Sequence, residues 1–264
     1  MEHFERGSIH VAGQTASVLP WQPGGCAYMR NQLFCYLPTI ALCCMSFGCS
    51  KPGSSSPADK DSGAQLKKLQ AQVEDLERRV GRAEDFVALS NLEDAYGYYL
   101  DKCQWDQAAD LFAKDGRIEI GGRGVYIGQD RVRAFMHHLP KFQYGQVFNH
   151  MQLQPVITVG PDGTSAKARW RAVIQAGVLH KSAQWGEGTY ENEYVKENGV
   201  WKFKSVHFFV TYYIDYDKGW DKGGNAPPAP IKELPADKPP SVNYRPYPDV
   251  FIPPYHYKNP VTGK

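Results

Sequence analysis

The chain has 264 residues and a nearly balanced charge, with 30 Lys and Arg against 28 Asp and Glu. Hydrophobic residues make up 42% of the sequence, which suffices for a globular core and excludes both wholesale disorder and a polytopic membrane protein. The balanced charge excludes the basic surface that nucleic-acid binding requires, so we expect no nucleic-acid partner.

The first 48 residues resemble an export leader. Arg30 follows Met29, an apolar run covers residues 33–45, and small residues lead to Cys49. The run is too short to span about 30 Å of hydrocarbon as a helix. We interpret residues 1–48 as a leader, with residues 1–28 a start-site artefact, and predict lipidation at Cys49. The expected location is the outer membrane or periplasm of a bacterium, with the lipid anchor as the only membrane contact. A soluble exported form and a buried apolar segment are the alternatives.

Cysteine and histidine spacing gives no sign of a metal site. Five of the six cysteines lie in the first 49 residues, and no CxxC pair occurs. The two adjacent histidines, His137 and His138, point apart if they lie on a helix. We therefore predict neither a disulfide framework nor a metal site.

Two segments precede the folded domain. Residues 49–64 are rich in Pro, Gly and Ser, which predicts a flexible tether. Residues 65–87 place apolar side chains at alternating steps of three and four, the spacing of a coiled coil. These positions are Leu66, Leu69, Val73, Leu76, Val80, Ala83 and Val87. We expect this coiled-coil helix to join copies of the chain into a dimer or trimer, or else to fold back on its own domain, with Gly81 as a joint.

Residues 88–220 predict one α+β domain. Apolar residues at helical spacing are followed by long stretches of alternating strand pattern with tight turns between them. The predicted helices cover residues 89–100, 105–112 and 130–138, and the predicted strands cover residues 147–159, 165–178, 190–196 and 201–213. We expect a cone-shaped, curved antiparallel sheet packed by three helices, with a pocket between them.

Residues 221–264 differ in composition from the domain. Eleven of the 19 prolines lie between Pro227 and Pro260, interspersed with tyrosines and with Phe251. Because free linkers rarely hold so many aromatic residues, we expect an extended segment that lies along the domain or a neighbouring subunit.

Several short motifs, in order and over about 130 residues, resemble SnoaL-like domains of the nuclear transport factor two-like superfamily. They are NLEDAYGYYLDKCQWD at residues 91–106, LFAKDG at 111–116, NH at 149–150, GTYEN at 188–192 and GVWKF at 199–203. Within the superfamily the chain is most similar to the branch that contains scytalone dehydratase and other cofactor-free lyases. The resemblance implies a conical fold, a pocket for a small molecule, and no cofactor.

The resemblance also implies a catalytic pair. The aspartate of the first helix in that branch falls on Asp101, and the strand histidine falls on His150. A carboxylate bonded to one imidazole nitrogen fixes the tautomer, so the other nitrogen can exchange a proton. Leu100, Ile120 and Trp185 depart from the branch's pattern, which argues against scytalone itself as substrate.

Other residues are candidates for substrate binding, each with a structural alternative in the core or at the surface. They are Tyr96, Tyr99, Glu187, Tyr190 and His207. Strand alternation places Phe203, Ser205 and His207 on one face of the last strand. Arg169 and Arg171 share a face of their strand and either bind an anionic substrate or face solvent.

These observations predict a cofactor-independent lyase, dehydratase or isomerase that acts on a small aromatic or polycyclic compound. The alternative is a non-catalytic ligand-binding or scaffold lipoprotein, in which the conical domain only packs.

Overall fold

A computed structural model describes residues 57–223 and 228–264, with side chains from residue 61 onward. The predicted leader, Cys49 and the tether up to residue 56 lie outside the described residues. The helices are α1 (Pro57–Asp101), α2 (Trp105–Asp110), α3 (Gln129–Met136) and α4 (Gly219–Lys222), with a 3₁₀ turn at Gly121–Arg123. The strands are β1 (Phe112–Ile120), β2 (Val125–Ile127), β3 (Gln146–Val159), β4 (Ser165–Val178), β5 (Ser182–Glu197) and β6 (Val200–Asp215).

The first helix is continuous and contains 45 residues. The predicted tether is helical from Pro57, and the predicted coiled-coil and domain helices are one element, so the boundaries at 64 and 87 do not mark breaks. Gly81 is not a joint, because one glycine costs a helix only about 1 kcal/mol and neighbouring turns continue the hydrogen bonds. From Asp61 to Glu84 nearly every side chain is exposed, whereas Leu89, Tyr96 and Leu100 are buried in the domain.

The sheet confirms the curved α+β architecture and adds two strands to the prediction. The strand order is β2-β1-β6-β5-β4-β3, and every neighbouring pair is antiparallel except β1 and β6. The sheet is therefore mixed and not purely antiparallel as predicted. The sequence of β1 (FAKDGRIEI) carries four charges and a glycine, which obscured its strand pattern. Strand β5 begins at Ser182, eight residues before its predicted start.

The buried half of α1 lies across the inner face of the sheet. Trp170 and the small side chains Ala168 and Ala172 line that face on β4, which leaves room for the helix. The helix comes close to β3 at Gly97, where an added Cβ would lie 2.7 Å from the carbonyl oxygen of His150. Glycine at this position therefore lets α1 approach β3 beside the predicted catalytic residues.

Two irregularities in the β5–β6 ladder change which side chains face inward. The register shifts between Glu193 and Tyr194 and again between Glu187 and Gly188, so β6 carries an extra residue at each shift. Such bulges invert the alternation of side chains. Consequently Phe203 lies in the core while Ser205 and His207 lie on the outer face, which corrects the predicted shared face.

The described part of the C-terminal segment, residues 228–264, lies along its own domain. Its backbone bonds the edge of β2, where the N–H of Val125 donates to the carbonyl of Lys238 at 2.9 Å. Further on, the N–H of Tyr247 donates to the carbonyl of Thr211 at 2.7 Å, and the Arg169 guanidinium donates to the Pro253 carbonyl at 2.9 Å. The segment covers the outer face of the sheet. No helix among the described residues carries an apolar stretch that would cross a bilayer.

Candidate functional site

A cavity of about 520 Å³ lies between the inner face of the sheet and the helices. This volume falls within the usual range for small-molecule sites. Six aromatic side chains line its walls, contributed by α1, α3 and the three strands β3, β5 and β6. They are Tyr96, Phe135, Phe148, Tyr190, Phe208 and Tyr213. The cavity therefore fits a flat, largely apolar ligand.

His150 lies in the wall of this cavity, on β3, and is only 8% exposed. Its ring packs edge-on against Phe148, with ring centroids 4.4 Å apart. The Nδ1 atom is buried and has no hydrogen-bond partner. Burial lowers the pKa of this imidazole from 6.5 to about 3, so the ring is neutral at physiological pH.

Asp101, the last residue of α1, lies against β3 as the resemblance implied, but it makes a different contact. Its carboxylate accepts a hydrogen bond from the backbone N–H of His150 at 2.5 Å. The imidazole is therefore not oriented by the carboxylate, which corrects the predicted Asp–His side-chain pair. The contact between α1 and β3 at this point therefore joins the Asp101 side chain to the His150 backbone, and not the two side chains. Burial raises the pKa of the Asp101 carboxyl, and the bond from His150 opposes that effect.

Tyr96 and Tyr190 both line the cavity, as predicted. Their rings meet edge to face with centroids 6.3 Å apart, and each is 2% exposed. Burial raises the pKa of both hydroxyls above the usual value for tyrosine, which keeps them protonated.

The other predicted substrate-binding residues lie outside the cavity. Tyr99 is half-buried on α1 and packs against the core. Glu187 forms an ion pair with Arg171 at 2.5 Å on the outer face of the sheet. His207 also lies on that face, stacked on Phe209 with centroids 4.0 Å apart. Glu187 is three residues before Tyr190 on β5, so regular alternation already places it on the opposite face of the sheet. His207 lies on the outer face because the bulges in β6 interrupt the alternation of its side chains.

His207 belongs to a polar cluster beneath the C-terminal segment. Its Nε2 lies 2.5 Å from the hydroxyl of Tyr244, which also lies 2.7 Å from the carboxylate of Glu119. Burial lowers the pKa of His207, and the nearby Glu119 carboxylate partly opposes the shift. Arg169, which was a candidate for binding an anionic substrate, already has partners within the chain. Its guanidinium forms an ion pair with Glu191 and packs on the ring of Tyr255.

Sequence reasoning missed a buried carboxyl group on α1. Glu93 is fully buried, accepts a hydrogen bond from the Tyr194 hydroxyl at 2.7 Å, and accepts others from the amide of Asn192 at 3.0 and 3.1 Å. Burial raises its pKa from 4.5 to about 7, and the bonds from Tyr194 and Asn192 oppose that shift. Its burial could have been inferred from its position, because it lies four residues after Leu89 and three before Tyr96, on the same side of the helix as both.

Arg123, in the wall of the cavity, is a second residue that was missed. It is the last residue of the 3₁₀ turn, in the sequence GGRG at residues 121–124, and its guanidinium carbon lies 5.8 Å from the centroid of Phe135. Three glycines around one arginine were a visible signal of a tight turn, although not of its direction. In the described part of the chain no group of three His, Cys, Asp or Glu side chains is arranged to hold a metal ion.

Comparison with known proteins identifies the domain. Residues 81–207 match the SnoaL-like domain family, and the chain therefore contains a SnoaL-like domain. No curated protein matches the chain in sequence.

Three solved structures are similar to parts of the chain. A candidate scytalone dehydratase from Novosphingobium aromaticivorans shares 20% identity and a TM-score of 0.49, covering 58% of this chain and 97% of its own. A hexachlorocyclohexane dehydrochlorinase, LinA-type3, from Novosphingobium barchaimii shares 16% identity and a TM-score of 0.46, covering 52% and 93%. ActVI-ORFA from Streptomyces coelicolor shares 13% identity and a TM-score of 0.43, covering 47% and 96%.

Proposed function

We propose that this protein is a cofactor-independent lyase, dehydratase or isomerase that acts on a small aromatic or polycyclic compound in the conical cavity. The observation that carries the proposal is the neutral imidazole of His150, buried in an aromatic wall with an unpaired ring nitrogen. A SnoaL-like domain supports a pocket of this kind at the level of the family.

The proposed chemistry is a proton transfer. The neutral His150 ring accepts a proton from a carbon of the substrate, and the electron pair of that C–H bond forms a new double bond. In an elimination, a hydroxyl on the next carbon leaves with the electron pair of its C–O bond and takes the proton from the His150 imidazolium to become water. In an isomerisation, the same proton returns to another carbon. The protonated hydroxyls of Tyr96 and Tyr190 donate hydrogen bonds to the oxygen on which negative charge develops.

Asp101 acts as a positioning residue in this scheme. Its carboxylate holds the backbone amide of His150, which fixes the strand where the imidazole projects.

A turnover screen tests the proposal. The purified chain, with no added cofactor, is incubated with hydroxylated aromatic and diaryl compounds, and substrate loss is measured by liquid chromatography. His150→Gln should abolish turnover, while His207→Gln, which changes a histidine on the other face, should leave it nearly unchanged. Turnover that survives His150→Gln would remove this residue from the mechanism.

A second function is favoured by one specific observation. A pKa of about 3 makes His150 a weak base, and no carboxylate bonds its ring to strengthen it. These features suit a ligand-binding protein as well as an enzyme. Binding of several panel compounds without turnover of any would support the non-catalytic ligand-binding or scaffold lipoprotein.

We also propose that copies of the chain pair through the exposed part of α1. The heptad side chains Leu66, Leu69, Val73 and Leu76 are each more than half exposed. The a positions after Leu66 are Val73, Val80 and Val87, with Leu69 and Leu76 at d, a choice that favours two parallel strands.

The flanking charges agree with the same arrangement. Arg79 lies at a g position and Glu84 at the following e position. In a parallel pair these positions face each other across the interface, so each Arg79 meets the Glu84 of the second copy.

Finally, we propose that the protein is exported and anchored by a lipid at Cys49. The leader pattern supports this proposal. Metabolic labelling with palmitate should mark the native chain and not Cys49→Ser, and labelling of neither would argue for a soluble exported form.

A further inference from the structure

The cavity holds one cation without a counter-charge. Arg123 is half-buried in the wall, and its guanidinium lies over the ring of Phe135. Among the hydrogen bonds and ion pairs of residues 57–223 and 228–264, none involves this guanidinium. Burial lowers its pKa, but an arginine side chain stays protonated at any physiological pH.

The other ionisable groups in the wall do not neutralise this charge. The Asp215 carboxylate also lines the cavity, but it accepts a hydrogen bond from Lys218 at 2.8 Å and forms no ion pair with Arg123. His150 is neutral, and burial raises the pKa of Tyr213 to about 12, so its hydroxyl remains protonated. Arg123 is therefore a cation without an ion-pair partner among the described residues of the wall.

The turn that bears Arg123 is held from outside the cavity. Gly124 has a φ of +92°, and a Cβ there would lie 2.6 Å from the Cβ of Ala236 in the C-terminal segment. The adjacent N–H of Val125 donates to the carbonyl of Lys238 at 2.9 Å. Only glycine allows this close approach with this backbone conformation. The C-terminal segment thus fixes the turn from which Arg123 enters the cavity wall.

Leaving a charge in an apolar wall is unfavourable unless a partner pairs with it. A partner supplied by the ligand removes that cost on binding, and a planar guanidinium matches the two oxygens of a carboxylate. The surrounding rings of Phe135, Tyr190 and Phe208 accommodate the rest of the ligand.

We propose that the ligand of this cavity is an aromatic carboxylate whose carboxylate group pairs with Arg123. The inference rests on the proposed function for the location of the substrate, and it adds the charge and chemical class of that substrate. Arg123 is a specificity-determining residue, and His150 is the residue that exchanges the proton.

Binding of two matched probes tests the inference without requiring turnover. Naphthoate and naphthamide have the same ring and nearly the same shape, but only naphthoate is negatively charged. Isothermal titration calorimetry on the full chain should show naphthoate binding at least tenfold more tightly. Arg123→Gln should bring the two affinities within threefold by weakening naphthoate alone, and Arg123→Lys should retain part of the preference. Arg82→Gln, which removes the same charge from the exposed part of α1, should change neither affinity.

Three results would overturn the inference: equal affinities in the wild type, a preference that survives Arg123→Gln, or an equal loss of both probes in that variant. The last result, with a lowered melting temperature, would assign Arg123 a purely structural role. His150→Gln separates this inference from the proposed function, because it should retain naphthoate binding. Arg123-dependent binding in a chain that turns over nothing would uphold the ligand class and reject catalysis. Failure of both probes to bind would reject an aromatic ligand altogether.

Discussion

Burial shifts the pKa values of two ionisable residues inside the domain in opposite directions. It raises the pKa of Glu93 to about 7 and lowers that of His150 to about 3. Because burial penalises the charged form of each group, both are uncharged in moderately acidic solution. The folded protein therefore loses stability as pH falls from 6.5 to about 3, where only the unfolded chain protonates His150, and as pH rises from 4.5 to about 7, where only the unfolded chain ionises Glu93.

Glu93→Gln should remove the loss of stability that accompanies rising pH. The folded pKa of Glu93 lies above its value of 4.5 in the unfolded chain, so its contribution is present below pH 4.5 and is lost as pH rises through about 7. The wild type should lose roughly 3 kcal/mol of unfolding free energy between pH 4.5 and 8.5 relative to Glu93→Gln. Urea unfolding at several pH values measures this difference. Glu74→Gln, on the exposed part of α1, should follow the wild type, and parallel curves for all three proteins would contradict a buried proton on Glu93.

Substitutions at Asp101 should distinguish its contact with the backbone from one with the imidazole. Asp101→Asn keeps an oxygen that accepts the His150 N–H, whereas Asp101→Ala leaves that amide unpaired at a cost of about 1–3 kcal/mol. We therefore expect Asn to retain most of the stability and turnover and Ala to lose both, as measured by urea unfolding and the turnover screen. A turnover loss as large for Asn as for Ala would indicate that the carboxylate charge itself acts in the reaction.

The positions of Tyr96 and Tyr190 could be predicted from the sequence, whereas the position of His207 and the partner of Asp101 could not. Helical spacing on α1 and alternation on β5 are regular, so Tyr96 and Tyr190 lie in the cavity as predicted. His207 lies on the other face because bulges in β6 interrupt an alternation that contains no glycine or proline to signal them. The partner of Asp101 is a backbone amide, which no pattern of side chains reports.

Among the secondary-structure elements, helix α1 has two parts that differ in what they contact. Its C-terminal part meets the domain through Asp85, which accepts hydrogen bonds from Lys196 and from Trp201, and through the buried residues that follow. Its N-terminal part presents a heptad seam to solvent. The heptad spacing was readable from the sequence, but the continuity of the helix was not, because the polar residues 57–64 carry no helical pattern of their own. Isolated helices of this kind are marginal in water, so the seam is expected to gain order from a second copy.

Charge reversal at the seam should control assembly. Arg79→Glu places two glutamates opposite each other at each g–e′ contact and should weaken self-association at least tenfold. Adding Glu84→Arg restores opposite charges and should recover the dimer. Sedimentation equilibrium gives the dissociation constants. Arg78→Glu makes the same charge change one residue away at an outward-facing position, so its dimer should match the wild type. A monomeric wild type, or equal effects of the Arg78 and Arg79 changes, would contradict a parallel pair.

At the scale of the whole molecule, the sheet separates two buried systems. The cavity occupies the inner face, and the C-terminal segment covers a cluster of Glu119, His207 and Tyr244 on the outer face. The composition of the segment predicted that it would pack, and its many prolines remove backbone donors that an extended covering segment does not need. The two systems meet at the Gly121–Gly124 turn, which contacts the segment on one side and carries Arg123 on the other.

This separation predicts that stability and ligand binding can be changed independently. Tyr244→Phe removes a hydroxyl that bonds Glu119 and His207, both partly or wholly buried, and should lower the unfolding free energy by about 1–3 kcal/mol. Glu119 retains the N–H of Ser241 as a donor, so the segment should stay in place and naphthoate affinity should stay within twofold of the wild type. Tyr98→Phe removes a hydroxyl from an exposed tyrosine and should alter neither quantity. Urea unfolding and calorimetry on the same preparations measure both. If Tyr244→Phe weakened naphthoate binding as strongly as Arg123→Gln, the outer cluster would have to act on the cavity through the turn, and the two faces would form one coupled system.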